Sequence, residues 1–480
     1  MTKIDPAIRP ALLWLTVLWL ALVAVRLTGP PDLVTRDQGL SMAYMVDIVD
    51  HGAWFSAQDH LGAPASKPPL HNWLGAVSVL LLGRSWFAMA LPSVLATLAT
   101  TWFLVVWGAR RLSPRVGALA GFAFLTCHLT VALLTVIRPD ALLVLLVALA
   151  SAFAFDAWRG TTTWWPFWIT ASLAVLAKGP LGLVFPACGL TAAVWMRRDG
   201  EPRPERSPSW PGAVLFVVVC AGVFALSWSA LGQAFIDEVI GDELIGHAFS
   251  TDDGRPVIAT FWQPSLYLLG RFLPWSVALL PALWRVVRRP AGPVEQRALE
   301  RFLAMGLLIG VVVLSLIGHK RGDLVAPLMP AAALLTGREL ARWTRGWSGP
   351  LRTVATVTAT AAILTTQAWY HHSVRPSRDY MRKSTAHLDF GRLLADRVSD
   401  PDALAFTTYE FSVQLAAGTL TRTIPLETAA ERLADARPFW VVTARASELA
   451  RIAAARGADV HVVLRGDLDL ALLSNRSGLP

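Results

Sequence analysis

From residue 11 to residue 370 the chain returns repeatedly to apolar stretches close to 20 residues long, separated by short loops rich in arginine. A bilayer core of about 30 Å needs roughly 20 apolar residues to be crossed by a helix. Within lipid, such segments can satisfy their backbone polar groups only as helices, whose hydrogen bonds close inside each segment. Hydrophobic residues make up 54% of the 480 positions and charged residues 16%, with a mean hydropathy of +0.48. That leaves too little polar surface for a soluble protein of this length. The expected fold class is therefore mainly α, a polytopic helical membrane protein.

Spans are expected at 11–28, 86–108, 116–137, 141–158, 163–177, 181–196, 211–231, 264–285, 301–318, 324–337 and 350–370, about eleven transmembrane helices in all. Basic clusters at Arg110-Arg111 with Arg115, at Arg197-Arg198 with Arg203 and Arg206, at Arg285 with Arg288-Arg289, and at Arg338 with Arg342 and Arg345 mark the cytoplasmic loops. The spans then alternate with the amino terminus inside and the carboxyl terminus outside. This requires that the short apolar run 70–83 be an interfacial or re-entrant helix, in a first outer loop covering 29–85. A second interfacial helix is expected at 39–50, where Leu40, Ala43, Tyr44 and Ile48 form a partial helical stripe. Residues 11–28 read as a retained signal anchor, because Thr28-Gly29-Pro30-Pro31 is a poor cleavage site.

The net charge of +9 does not point to nucleic acid, since the basic residues lie in loops that set topology. Cys127, Cys188 and Cys220 are odd in number and fall inside apolar stretches, which offers neither a disulfide nor a metal framework. After residue 375 the texture changes. Residues 403–408, 438–443 and 460–464 read as strands, and 427–436 and 447–456 as helices. The expected organisation is a transmembrane domain over 1–375 and a small extracytoplasmic α/β domain over 376–480, with no Gly-rich phosphate loop.

Only five of the 43 basic residues are lysines. Lys67, Lys178 and Lys320 stand at outer-face turns beside apolar segments, in the contexts Ser-Lys-Pro-Pro, Ala-Lys-Gly-Pro and His-Lys-Arg-Gly-Asp. Any one of them could be a snorkelling side chain reaching a lipid headgroup. Three on one face, with Arg321, Arg255 and Arg271, favour a shared anionic ligand, because charge-assisted bonds to phosphate suit such clusters. Two acids accompany them. Asp37 lies in the first outer loop, where pairing with Arg36 is the plainer alternative. Asp140 stands at the outer end of the third span, where it could pair with Arg138 or cap the following helix.

These residues occur in a fixed order: Asp37, Gly52-Ala53-Trp54, Lys67-Pro68-Pro69-Leu70, Arg138-Pro139-Asp140, Lys178-Gly179-Pro180 with Gly182 and Pro186, Phe272-Leu273-Pro274-Trp275-Ser276, then Lys320-Arg321 with Pro327 and Pro330. Over about residues 30–340 the chain resembles the bacterial aminoarabinose transferase and protein mannosyltransferase-like family, membrane glycosyltransferases of the GT-C type. Two positions depart from the pattern. Family members usually carry Asp-Glu at the first motif, where this chain has Asp37-Gln38, and an acid before Lys-Pro-Pro, where it has Ser66.

The resemblance implies a polyprenyl-phosphate sugar donor in the outer leaflet of the bacterial inner membrane. A lipid, glycan or protein acceptor would attack the anomeric carbon with inversion. Asp37 would be the catalytic base. Lys67, Lys178, Lys320, Arg321 and Arg255 would hold the departing phosphate, and Asp140 would orient acceptor or sugar. His247, Trp54 and Trp73 are candidate substrate contacts, and Trp262 is a further aromatic beside an outer loop. No cofactor is implied with certainty; with Ser66 in place of an acid, a divalent metal stays open. A lipid-linked sugar flippase and a non-catalytic lipid-binding subunit of envelope assembly are the competing classes.

Overall fold

The computed structural model describes residues 5–29, 33, 35–198, 209–239, 241, 257–288, 292–398, 400, 403–408, 410–419, 423–465 and 470–476. They fold as two units. The first comprises Met1–Arg26, Ser66–Leu74 and Ala90–Gln367; the second comprises Leu27–Ala65, Gly75–Met89 and Ala368–Pro480.

The apolar stretches are helical, in the chain order α1 Arg9–Thr28, α2 Arg36–His51, α3 Leu70–Leu82, α4 Trp86–Arg111, α5 Pro114–Thr126, α6 His128–Leu133, α7 Asp140–Trp158, α8 Trp165–Lys178, α9 Leu181–Leu190, α10 Ala192–Arg198, α11 Trp210–Leu231, α12 Gln263–Arg271, α13 Ser276–Arg288, α14 Val294–Leu316, α15 Met329–Trp343 and α16 Gly349–Trp369. Among the described residues, five helices are each long and apolar enough to cross a membrane: Pro6–Thr28, Trp86–Arg111, Asp140–Trp158, Trp210–Leu231 and Val294–Leu316. Several expected spans are not continuous helices. The 116–137 stretch breaks at Cys127 between α5 and α6, and 181–196 breaks between α9 and α10. The 264–285 stretch is bent by 117° between α12 and α13, where Pro274 interrupts the backbone ladder. In 324–337 a short 3₁₀ turn at Ala326–Leu328 precedes α15. The helix expected at 39–50 is α2, and the short run at 70–83 is α3, whose 13 residues reach about 20 Å and fall short of the hydrocarbon core.

The first unit packs α4, α5, α7, α8, α9 and α12–α15 around one apolar core. At its centre Phe155 meets Phe302 edge to face at 5.4 Å, and Trp158 stacks on Phe302 at 6.3 Å. Small residues let the helices approach. A Cβ on Gly117 would lie 2.3 Å from the Val105 carbonyl oxygen, and one on Gly337 would lie 2.7 Å from the Ala120 nitrogen. Helix α5 is thus held against α4 on one side and α15 on the other. By contrast α11 leaves Trp210, Val217, Val218 and Trp228 exposed, as lipid-facing side chains would be.

In the second unit a four-stranded sheet has the order β1 (Leu404–Phe406), β2 (Trp440–Thr443), β4 (Ala471–Ser474), β3 (His461–Arg465). Strand β2 pairs parallel to β1 and antiparallel to β4. Successive strand side chains face opposite ways. Phe406, Trp440, Val442 and Leu472 meet Phe390, Leu394 and Val413, from α17 (Asp379–Arg397) and α18 (Phe411–Ala416). Ala405, Val441 and Leu473 meet Ala430, Leu433 and Leu449, from α19 (Leu426–Ala434) and α20 (Ala446–Ala454). The strands expected near 403, 438 and 460 are present, as are the helices expected at 427–436 and 447–456; β4, α17 and α18 are additions.

Gly117→Ala should force α4 and α5 apart at a cost of about 1–3 kcal/mol, read as a lower melting temperature of the purified protein. Gly222→Ala on α11, whose Cβ would meet nothing within 4 Å, should not lower it. Equal melting temperatures for Gly117→Ala and the parent would refute the close approach.

Candidate active site

Pro139 precedes α7, and Asp140 stands in that helix's first turn, where a carboxylate is favoured by the helix dipole. Lys178 is the last residue of α8, where a cation is favoured. The helix stops there because Gly179 turns into the left-handed region at φ +84°. Its N–H donates to the Val175 carbonyl at 2.7 Å. Gly182 then passes so close to α8 that a Cβ would lie 2.4 Å from the Ala174 carbonyl carbon. Helices α7 and α8 pack as a hairpin, so the start of one and the end of the other come to the same level.

At that level Lys178 donates a hydrogen bond to Asp140 Oδ1. Arg138 Nε lies 3.2 Å from Asp140 Oδ2, in ion-pair contact but off the line of a hydrogen bond. The Arg138 guanidinium also donates to Asp323, and Arg321 Nη2 is 3.2 Å from the same carboxylate. Asp323 belongs to the loop between α14 and α15. Burial pushes its carboxyl up, but Lys178, Arg138 and Arg321 together outweigh this and hold it below the usual carboxylate range. Arg271, in the last turn of α12, lies over Gly322, whose Cβ would meet Arg271 Nε at 3.0 Å. It also reaches His128 Nε2 at 3.3 Å. Because a guanidinium can only donate, that contact requires the His128 proton on Nδ1. Lys320 donates to the Val257 carbonyl at 3.3 Å.

Of the residues singled out from sequence, Asp140 and Lys178 are joined directly, and Arg321 joins them through Asp323 and Arg138. Lys67 belongs to the same unit, and its charge is felt by His71, which also feels Asp140. Trp73, two residues on, is half-buried, and Trp262 is exposed just before α12. Asp37 lies in the second unit, half-buried in the first turn of α2, so the helix expected at 39–50 begins early enough to include it. Trp54, also in the second unit, follows the Gly52 cap of α2. His247 and Arg255 lie outside the described residues. Sequence reasoning missed Asp323, although it closes the His-Lys-Arg-Gly-Asp run, and it missed His71 and His128. Asp140 does make the pairing with Arg138 that sequence offered as the plainer alternative, and it takes Lys178 as well. Among the described residues no three His, Cys, Asp or Glu side chains form a group able to hold a metal ion.

The cluster therefore comprises the cations Arg138, Lys178 and Arg321, the carboxylates Asp140 and Asp323, and Lys67, whose charge reaches the same His71 that Asp140 acts on. Residues 66–228, which contain four of its members, match the family described as dolichyl-phosphate-mannose-protein mannosyltransferase. The structure of ArnT from Cupriavidus metallidurans bound to undecaprenyl phosphate superposes with a TM-score of 0.72 at 18% identity, covering 97% of each chain. The fold is the ArnT-like GT-C fold. The archaeal oligosaccharyltransferase AglB from Archaeoglobus fulgidus is more distant, with a TM-score of 0.53 at 13% identity over 91% of this chain and 69% of that one.

Two curated relatives match in sequence. The undecaprenyl phosphate-alpha-4-amino-4-deoxy-L-arabinose arabinosyl transferase of Pectobacterium carotovorum subsp. carotovorum (strain PC1) is 28% identical over 297 residues, 60% of this chain and 50% of that one. An uncharacterized protein of Aquifex aeolicus (strain VF5) is 26% identical over 189 residues, 39% of this chain and 42% of that one. The chain thus spans half or less of the length of these relatives. The resemblance drawn from the motifs is borne out, and the chain is a multi-pass membrane protein.

Removing one partner of a buried ion pair strands the other at a cost of about 3–5 kcal/mol. Asp140→Leu should therefore lower thermal stability strongly, and Asp140→Leu combined with Lys178→Met should restore part of the loss. A double-mutant cycle by thermal melting measures this coupling; additive losses would mean that the pair does not interact.

Proposed function

We propose that the protein is an inverting membrane glycosyltransferase that takes a sugar from a polyprenyl-phosphate donor and transfers it to a lipid, glycan or protein acceptor at the outer face of the inner membrane. The observation that carries this reading is the cation-rich cluster at the ends of α7 and α8 within an ArnT-like fold. A donor phosphate is doubly suited to it, by its charge and by its need for many hydrogen-bond donors.

In the reaction, the acceptor hydroxyl oxygen forms a bond to the anomeric carbon as the carbon–oxygen bond to phosphate breaks. The bonding electrons leave with the polyprenyl phosphate, and the configuration inverts. The acceptor proton passes to Asp37, assigned as base from the motif it begins. Lys67, Lys320 and Arg321 stabilise the departing phosphate, with Arg255 as a further contributor. Lys178 acts with them while its ammonium is shared with Asp140, which orients it, and Asp140 positions substrate through that link. Trp54, Trp73 and His247 are assigned to substrate contact. Residues 1–375 would form the catalytic membrane domain and 376–480 an extracytoplasmic domain.

Purified protein given radiolabelled undecaprenyl-phosphate sugars and envelope lipids should transfer label; scrambling or binding without transfer would overturn the enzymatic reading. Asp37→Asn keeps the side chain's shape and removes its basicity, so turnover should fall about 10²- to 10⁴-fold with donor binding retained. Near-parental turnover in folded Asp37→Asn would remove Asp37 from the mechanism. In the same assay Lys67→Ala should weaken donor use and Lys67→Arg should restore only part, because a planar fork replaces a compact ammonium.

Orientation is tested separately. With Cys127, Cys188 and Cys220 replaced, Gly418→Cys should react with an impermeant thiol reagent from the extracytoplasmic side of intact cells. Labelling only after the membrane is opened would reverse the assignment.

A further inference from the structure

His71 is the second residue of α3 and lies four positions after Lys67. It is 1% exposed. Neither Nδ1 nor Nε2 has a hydrogen-bond partner among the described residues. The charges of Lys67 and Asp140 both act on it, so it lies near that pair. Burial lowers its pKa to about 4, with Asp140 opposing the shift and Lys67 adding to it. The ring is therefore neutral at physiological pH. A neutral imidazole carries one N–H donor and one bare acceptor nitrogen. Burying both without partners costs free energy that a leucine at the same place would not.

The ligand that satisfies such a ring must accept one hydrogen bond and donate another. A phosphodiester cannot do so, because its oxygens only accept, and the cluster already offers it ammonium and guanidinium donors. A sugar hydroxyl does both. We propose that His71 is a sugar-binding residue: its N–H donates to an oxygen of the donor's sugar ring or hydroxyls, and its bare nitrogen accepts a hydrogen bond from a sugar hydroxyl. The inference rests on the reading of this site as one for a polyprenyl-phosphate sugar. It divides the labour there between cations for the phosphate and a neutral group for the sugar.

The full-length protein in lipid nanodiscs can be tested with two probes by native mass spectrometry. One is undecaprenyl phosphate; the other is undecaprenyl phosphate carrying mannose or 4-amino-4-deoxy-L-arabinose. The parent protein should bind the sugar-bearing lipid more tightly than the bare phosphate. His71→Leu should keep bare undecaprenyl phosphate binding within about twofold and lose about tenfold of the sugar-dependent gain, the size expected for two neutral hydrogen bonds. His71→Gln, which retains a donor and an acceptor, should recover part of that gain, and it serves as the test if His71→Leu does not fold.

Melting temperature separates a structural role: a sugar-binding His71 predicts that His71→Leu melts at or above the parent temperature. A sugar-dependent gain unchanged in both variants, equal loss of both lipids, or no gain with either sugar in the parent would overturn the proposal. If the parent binds no undecaprenyl phosphate, the functional reading itself fails. If it binds the phosphate and the variants keep the sugar-dependent gain, only the role of His71 fails.

Discussion

The ion network of Asp140, Lys178, Arg138, Asp323 and Arg321 ties three parts of the membrane unit together: the start of α7, the end of α8, and the loop after α14. Charges at this depth are costly unless paired and hydrogen-bonded, so the geometry of the network is demanding. Its two carboxylates cannot move without stranding cations, nor the cations without stranding carboxylates. The hairpin of α7 and α8 supplies the rigidity. The tight turn at Gly179 and the close passage of Gly182 fix where Lys178 ends, and the first turn of α7 fixes Asp140.

This changes what the scarce lysines mean. From sequence, Lys67, Lys178 and Lys320 look equivalent, three ammonium groups on one face. In the structure they are not. Lys178 is committed to Asp140, whereas Lys320 donates to a backbone carbonyl. Removing Lys178 would disturb the framework as well as any ligand, so a loss of activity in its variants cannot by itself separate binding from architecture. Lys320 is a cleaner probe of an anion, because its ammonium donates to a backbone carbonyl and not to a carboxylate of the ion network.

Much of the fold was legible because lipid leaves the backbone few choices. Apolar length identified the helices, and the change of texture after residue 375 identified the sheet domain. What failed to show was continuity. Cys127, Pro274 and the 3₁₀ turn at Ala326–Leu328 divide stretches that hydropathy alone joins, since hydropathy averages over residues that end a helix without being polar. In the candidate site, Asp140 and the lysines were visible from charge placed where it is expensive. Asp323 was hidden because it follows two cations in a loop and looks like an ordinary neighbour of Arg321. Its second partner, Arg138, lies 185 positions away in the chain, a distance that spacing arguments cannot bridge. Strand β4 was missed for the opposite reason: four residues of Ala-Leu-Leu-Ser carry no β-branched signal, and only pairing with β2 and β3 makes them a strand.

An excess of fixed positive charge explains attraction for an anion but not choice among anions. Any lipid phosphate satisfies Coulomb's law equally, and a bilayer surface offers many of them. Selectivity has to come from groups that gain little from charge and much from matched hydrogen bonds, since a buried polar group left unpaired penalises the wrong ligand more than a correct contact rewards the right one. In the described part of this cluster His71 has that character, being buried and neutral and carrying both a donor and an acceptor. The ion network makes the place where a phosphate can dwell, and the polar side chain beside it is where discrimination among the groups attached to that phosphate can arise.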